Sequence, residues 1–165
     1  MPVATLNPLE VIIMQNQKGF SLIELIVVMA IMGIATGIAV PVYNNMKPQI
    51  RLNGAARQVM GDLMWARMQA VSQNNRYRII FLNEYQYQIL DDDNSNGTAD
   101  LNEKIITKDL NGKYPGITFN PVPSQNPIFG TNGLLHWPFG ITITLENPHG
   151  KKSLTIARTG RVKIN

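Results

Sequence analysis

The sequence predicts an α+β protein in which one long N-terminal helix, a membrane half followed by an amphipathic half, packs on an antiparallel β-sheet. Three observations carry that expectation. Residues 20–40 hold sixteen apolar residues among twenty-one, interrupted by Ser21, Glu24, Gly33, Thr36 and Gly37. Leu52, Ala56, Val59, Leu63, Ala66 and Ala70 then recur at spacings of three and four, the stripe of an amphipathic helix. From residue 76 onward, period-two runs replace that stripe, separated by Asn-, Pro- and Gly-rich turns. A length of 165 residues suits one domain, or one domain with an appendage.

Residues 1–19 are polar to mixed, end in Gln17-Lys18-Gly19 and meet the apolar run abruptly. A secretory signal would place its cleavage site after the apolar region, whereas the distinctive junction here precedes it. Met14 is an alternative start to Met1 and would leave a six-residue leader, Met14 to Gly19. A helix over 20–40 would be about 31 Å long, close to the hydrocarbon thickness of a bilayer, so a membrane span is expected. Within it Gly33 and Gly37 form a GxxxG, read either as tolerated glycine or as a point of close helix approach. Residues 41–75 follow as the amphipathic helix, with a kink or break expected at Pro41 and Pro48 and an end near Asn74-Asn75. Met60, Met64, Trp65 and Met68 widen its apolar face and are expected in the core.

Residues 76–165 form the β domain. Arg76–Leu82 and Tyr85–Leu90 read as a hairpin through Asn83-Glu84, followed by a strand over Lys104–Lys108. Residues 109–133 are rich in Pro, Gly and Asn, with Ile117–Phe119 as one short strand. Ile141–Leu145 and Ser153–Ala157 pair across Asn147-Pro148-His149-Gly150, and Val162–Ile164 closes the chain.

Several function classes drop out. The absence of cysteine removes disulfides, thiolate zinc sites and a Cys nucleophile. His136 and His149 stand alone in loop-like surroundings, and no nucleophile elbow, phosphate loop or zincin motif occurs. Catalysis is not expected. The net charge of +4 is unevenly placed, because residues 20–145 sum to zero and residues 146–165 set five cations against Glu146 alone.

Glu24 carries the most information. A carboxylate near the centre of a spanning helix costs about 2.5–3.5 kcal/mol on insertion scales, so it is expected to have a partner. Cleavage after Gly19 would give Phe20 a free α-amine. Within one helix the two groups are poorly placed to meet, but between staggered neighbouring helices they meet in low dielectric. Glu24 then marks the register of helix-on-helix assembly.

Lys18-Gly19-Phe20-Ser21-Leu22-Ile23-Glu24 resembles the class III signal of type IV pilins and type II secretion pseudopilins, and Pro41 falls where that family often has a proline. The resemblance implies a type IV pilin-like fold. It also implies cleavage by a prepilin peptidase after Gly19, N-methylation of Phe20, and an assembly role for Glu24. The precursor would sit in the inner membrane, with residues 1–19 cytoplasmic and the C-terminal domain periplasmic or extracellular. An assembly ATPase and platform protein would then lift it into a helical filament with other pilins or pseudopilins.

Asp92-x-Asn94-x-Asn96-Gly97-Thr98-x-Asp100-x-x-Glu103 satisfies the twelve-residue calcium-loop pattern. Hard oxygens recur at alternating positions, Gly97 permits the sharp turn, and Glu103 would bind bidentately. Asp92, Asn94, Asn96 and Glu103 would give side-chain oxygens, Thr98 its carbonyl, and Asp100 an oxygen directly or through water. Strands flank the loop, so the expected role is a structural Ca²⁺ clip. The competing reading is an Asp/Asn/Gly-rich hairpin connection.

Lys151, Lys152, Arg158, Arg161 and Lys163 make the basic tail. Such residues contact nucleic-acid phosphates or protect a solvated edge strand. Thr159-Gly160-Arg161-Val162, after the run from Ile141 to Ala157, resembles the C-terminal end of the GspH/FimT branch of minor pilins. In some FimT members a Gly-Arg-x-Arg tail motif contacts DNA during natural transformation. Here Lys163 replaces the second Arg, keeping the charge but losing the bidentate fork. The first expectation is therefore a structural minor pseudopilin or pilin of a type II secretion system or type IV pilus. The alternative is a DNA-binding minor pilin.

Overall fold

The computed structural model describes residues 19–98, 100 and 103–165. One helix, α1, runs Leu22–Ser72, uninterrupted at Pro41 and Pro48. The break expected at those prolines does not occur, because each removes a single backbone donor from a helix whose other hydrogen bonds continue on both sides. Asn74, at φ 52, takes the left-handed conformation that stops α1, and Asn75 N donates to Ala70 O at 3.1 Å. The chain divides into a unit ending at Asn44 and a unit of Asn45–Asn165.

Among the described residues of the second unit, eight strands form two sheets. The strands are β1 (Arg76–Phe81), β2 (Gln86–Asp92), β3 (Ile105–Asp109), β4 (Thr118–Phe119), β5 (Ile128–Phe129), β6 (Ile141–Asn147), β7 (Gly150–Ile156) and β8 (Val162–Ile164). The first sheet has the order β3-β2-β1-β5 and the second β4-β6-β7-β8, all neighbours antiparallel. Asn83 closes the first hairpin, its Oδ1 accepting from Tyr85 N and Gln86 N. The β6–β7 hairpin turns at Pro148-His149, with Asn147 paired to Gly150.

Leu52, Ala56, Val59, Leu63, Ala66 and Ala70 are all buried, as their spacing predicts, and Ala55 joins them. The alanines let α1 approach the sheets closely, forming one core cluster with Tyr77, Ile79, Tyr87 and Ile89 of the first sheet and Ile143, Leu145, Leu154 and Ile156 of the second. Phe119 bridges the sheets, its ring 5.0 Å from Phe81 and 5.9 Å from Tyr87 in edge-to-face geometry. Met60 and Trp65 pack on this core, but Met64 and Met68 are 49% and 58% exposed, contrary to expectation. They sit beyond the edge of the buried stripe, on the solvent side of α1.

Candidate functional site

At the N-terminal junction Gly19 and Phe20 lie outside the helix and are exposed. Ser21 begins α1 by accepting Ile23 N on its Oγ at 3.2 Å. The exposed Gly19–Phe20 peptide, with nothing within 4 Å of a Cβ placed on Gly19, leads directly into this capped helix. Lys18 and the rest of the leader lie outside the described residues. Glu24 falls in the first turn, where a carboxylate interacts favourably with the helix dipole. From Leu22 to Val42 the helix is exposed on every side, and nothing lies within 4 Å of a Cβ placed on Gly33 or Gly37. A helix apolar all round is suited to lipid or to other helices. By length and composition this helix is able to cross a membrane.

The loop after β2 is organised by a cation that the motif does not contain. Asp92 is fully buried; its Oδ1 accepts Gly97 N at 3.2 Å, and its Oδ2 meets Arg78 Nη2 at 3.2 Å. Gly97, at φ +77, rides over that guanidinium, and any Cβ there would run into it. Arg78 reaches the loop from β1, so no pattern within residues 92–103 announces it.

The remaining predicted ligands are drawn together. Asn94 Nδ2 and Asn96 Nδ2 each donate to Asp100 Oδ2 at 2.7 Å, and Asn96 Oδ1 accepts from Thr98 N at 2.7 Å. Glu103 Oε2 accepts from Asp100 N at 3.1 Å, while its Oε1 is buried with no partner among the described residues. Among the described residues no three acidic or histidine side chains converge on one point. Asn94 and Asn96 thus turn their amide nitrogens toward Asp100, and their oxygens accept from the N–H groups of Asn96 and Thr98. The predicted ligands are therefore gathered in one loop without presenting their oxygens to a common point, and Asp92 is held by Arg78.

The basic tail is split. Lys151 Nζ pairs with Glu146 Oε2 at 2.9 Å. The Asn120 hydrogen bond first, and then Lys151, hold the Glu146 carboxyl below the usual carboxylate range. Lys152 is half-buried and Arg158 exposed. Arg161 and Lys163 are exposed and line one shallow groove with Thr155, Ala157 and Asn165. Gly160 has its own task. At φ +76 it packs so closely that a Cβ would collide with Gly133 O and lie 2.6 Å from Arg67 Nε. Arg67 reaches from α1 to donate to Gly133 O at 2.9 Å, and Leu135 N donates to Arg158 O at 3.0 Å. The turn presenting Arg161 is therefore clamped to the helix by Arg67, a residue that sequence spacing did not single out.

An exposed apolar N-terminal helix that continues into a helix packed on antiparallel sheets defines a pilin-like structural subunit. Comparison with known proteins agrees. Residues 14–40 match the prokaryotic N-terminal methylation motif, and residues 55–160, more than half the chain, match the type II transport protein GspH family. The chain belongs to the GspH family and is a structural protein rather than an enzyme. It is 24% identical to the pilin-like protein PilA1 of Thermus thermophilus, over 90% of this chain and 99% of the relative. Two crystal structures of the Pseudomonas aeruginosa type IV minor pilin FimU share its fold. They have TM-scores of 0.54 and 0.55 at 21% and 22% identity, covering 69% and 71% of this chain and 92% and 90% of theirs. The methylation motif and the apolar helix together are those of a membrane-anchored prepilin.

Proposed function

We propose that this chain is a minor subunit of a type II secretion pseudopilus or type IV pilus, processed between Gly19 and Phe20 and then drawn from the inner membrane into a helical filament. The leader is cytoplasmic and residues 45–165 lie on the far side of the membrane. A prepilin peptidase, an assembly ATPase and its platform protein act on the chain, and other pilins or pseudopilins surround it. The observation carrying this reading is the accessible glycine–Phe20 junction opening directly into an apolar helix with Glu24 in its first turn. Glu24 pairs with the Phe20 amine of a neighbour, an attraction amplified where water is excluded. Glu24→Ala is expected to be cleaved normally yet fail to enter filaments. Incorporation of that variant at the wild-type level contradicts the pairing.

Residues 92–103 are, on this reading, a structural calcium clip. Its support is the gathering of Asn94, Asn96, Asp100 and Glu103 in one loop and a buried Glu103 oxygen with no partner among the described residues. A second reading, DNA capture through the tail, is favoured by the juxtaposition of Arg161 and Lys163 on one exposed groove. Salt-dependent retardation of DNA, lost in Arg161→Ala, supports it; unchanged DNA mobility at low salt removes it.

A further inference from the structure

The second sheet has an incompletely covered edge. β6 is seven residues long, yet β4 pairs only with its C-terminal end, Thr118 to Glu146 and Phe119 to Leu145. One further bond, Asn120 N to Thr144 O at 3.0 Å, ends the ladder. That bond fixes which way the backbone groups point. Thr144 directs its main chain toward the β4 side, and strand alternation directs Thr142 to the same side. By the same alternation Ile141, Ile143 and Leu145 direct theirs toward β7, their antiparallel neighbour. The Thr142 N–H and C=O have no backbone partner among the described residues.

The chain leaving β4 does not fill this gap. Pro121–Gln125 runs alongside as the outer wall of a groove of about 320 Å³, with Gly140–Thr144 as its inner wall. Pro121 and Pro123 have no N–H to donate. The lining carries no charged side chain. Val122 is 37% exposed on one wall, and Phe139, 79% exposed, immediately precedes Gly140 on the other. An exposed strand edge normally carries a lysine, a bulge or a covering segment. Here the blocking residues stand off and leave the N–H and C=O of Thr142, and the N–H of Thr144, at strand spacing beside apolar surface.

We propose that the open β6 edge at Thr142 receives an extended, uncharged segment of a neighbouring filament subunit as an added strand. Unpaired main-chain donors beside an unpaired acceptor specify a peptide backbone, as in strand addition to a sheet edge. The neutral walls disfavour nucleic acid or a charged peptide, whose desolvation nothing in the groove offsets. Two main-chain bonds and a shallow apolar groove make a weak site in dilute solution. It becomes effective where filament packing holds subunits at high local concentration. The inference rests on the filament reading above.

The test compares amide hydrogen exchange of the processed full-length chain in purified filaments with that of the same chain as a detergent-solubilised monomer. Peptides covering residues 140–145 are expected to gain one slowly exchanging amide, that of Thr142, on assembly. Thr142→Pro removes the N–H facing the groove and spares the β6–β7 ladder, whereas Thr142→Val keeps the N–H. Loss of one main-chain hydrogen bond predicts about tenfold weaker retention of Thr142→Pro in filaments relative to Thr142→Val. Equal retention of the two variants, or a Thr142 amide that exchanges equally fast in filament and monomer, overturns the proposal while the filament reading stands. Should Thr142→Pro fail to fold, the exchange measurement on the wild-type chain decides alone. Absence of the wild-type chain from filaments overturns both.

Discussion

Placing one methyl group at Gly160 is predicted to unlock the junction between α1 and the C-terminal turn. The left-handed backbone costs an alanine about 1–2 kcal/mol. The new Cβ would also displace Gly133 O and the Arg67 side chain, so the charged hydrogen bond between them is lost, a further ~1.5–3 kcal/mol. The sum is about 2.5–5 kcal/mol. Unfolding entropy of about 2.1 cal/mol/K per residue over the 121 residues of Asn45–Asn165 converts 3 kcal/mol into a Tm drop of roughly 12 °C. The same substitution at Gly61 supplies the control. Gly61 is helical and exposed, and nothing lies within 4 Å of an added Cβ. Gly61→Ala should therefore raise stability by about 0.5–1 kcal/mol. Thermal unfolding of the full chain in detergent, followed by near-ultraviolet circular dichroism, reads both. A Gly160→Ala protein melting within about 3 °C of wild type would refute the clamp.

Two further outcomes follow from buried polar groups. Burial first, and then the bond to Asp62, pushes the Tyr87 hydroxyl well above the ordinary tyrosine range; burial and Asp91 do the same to Tyr77. Because the folded values are raised, this stabilisation is complete below about pH 10 and is lost as pH rises toward the folded values, at up to about 1.4 kcal/mol per pH unit for each tyrosine. Urea unfolding between pH 8 and 11 should show that slope, and Tyr77→Phe/Tyr87→Phe should flatten it; an unchanged slope contradicts the assignment. Arg78→Met strands the buried Asp92 carboxylate at a cost of about 3 kcal/mol in the presence of chelator. Millimolar calcium should restore much of that loss and raise the wild-type Tm by a smaller amount. Melting curves insensitive to calcium in both proteins remove the proposed clip.

What the sequence disclosed is what depends on near neighbours. The stripe from Leu52 to Ala70 was legible because helix periodicity is a local property, and all six of its residues are buried. The hairpin at Asn83 and the β6–β7 turn were legible from turn chemistry. Met64 and Met68 were misplaced because apolar spacing locates the centre of a buried face but not its width. The two-residue strand β5 has too few positions to show any period, and the division into two sheets depends on pairings distant in the chain.

The same boundary runs through the candidate sites. Gly19, Phe20 and Glu24 lie within one short stretch, so the pattern they make is visible in the sequence. The calcium pattern identified the loop, but its central cation, Arg78, arrives from another strand. In the tail, Gly160 belongs to a visible motif, while the reason for it lies in Arg67 and Gly133, far away in sequence.

The account stands on a carboxylate in an apolar helix being answered by an amine that cleavage creates. Intact-mass and N-terminal fragment spectra of subunits taken from assembled filaments test this directly. The expected species begins at a methylated Phe20, with residues 1–19 gone. Assembled subunits that still carry Gly19 and its leader would contradict it.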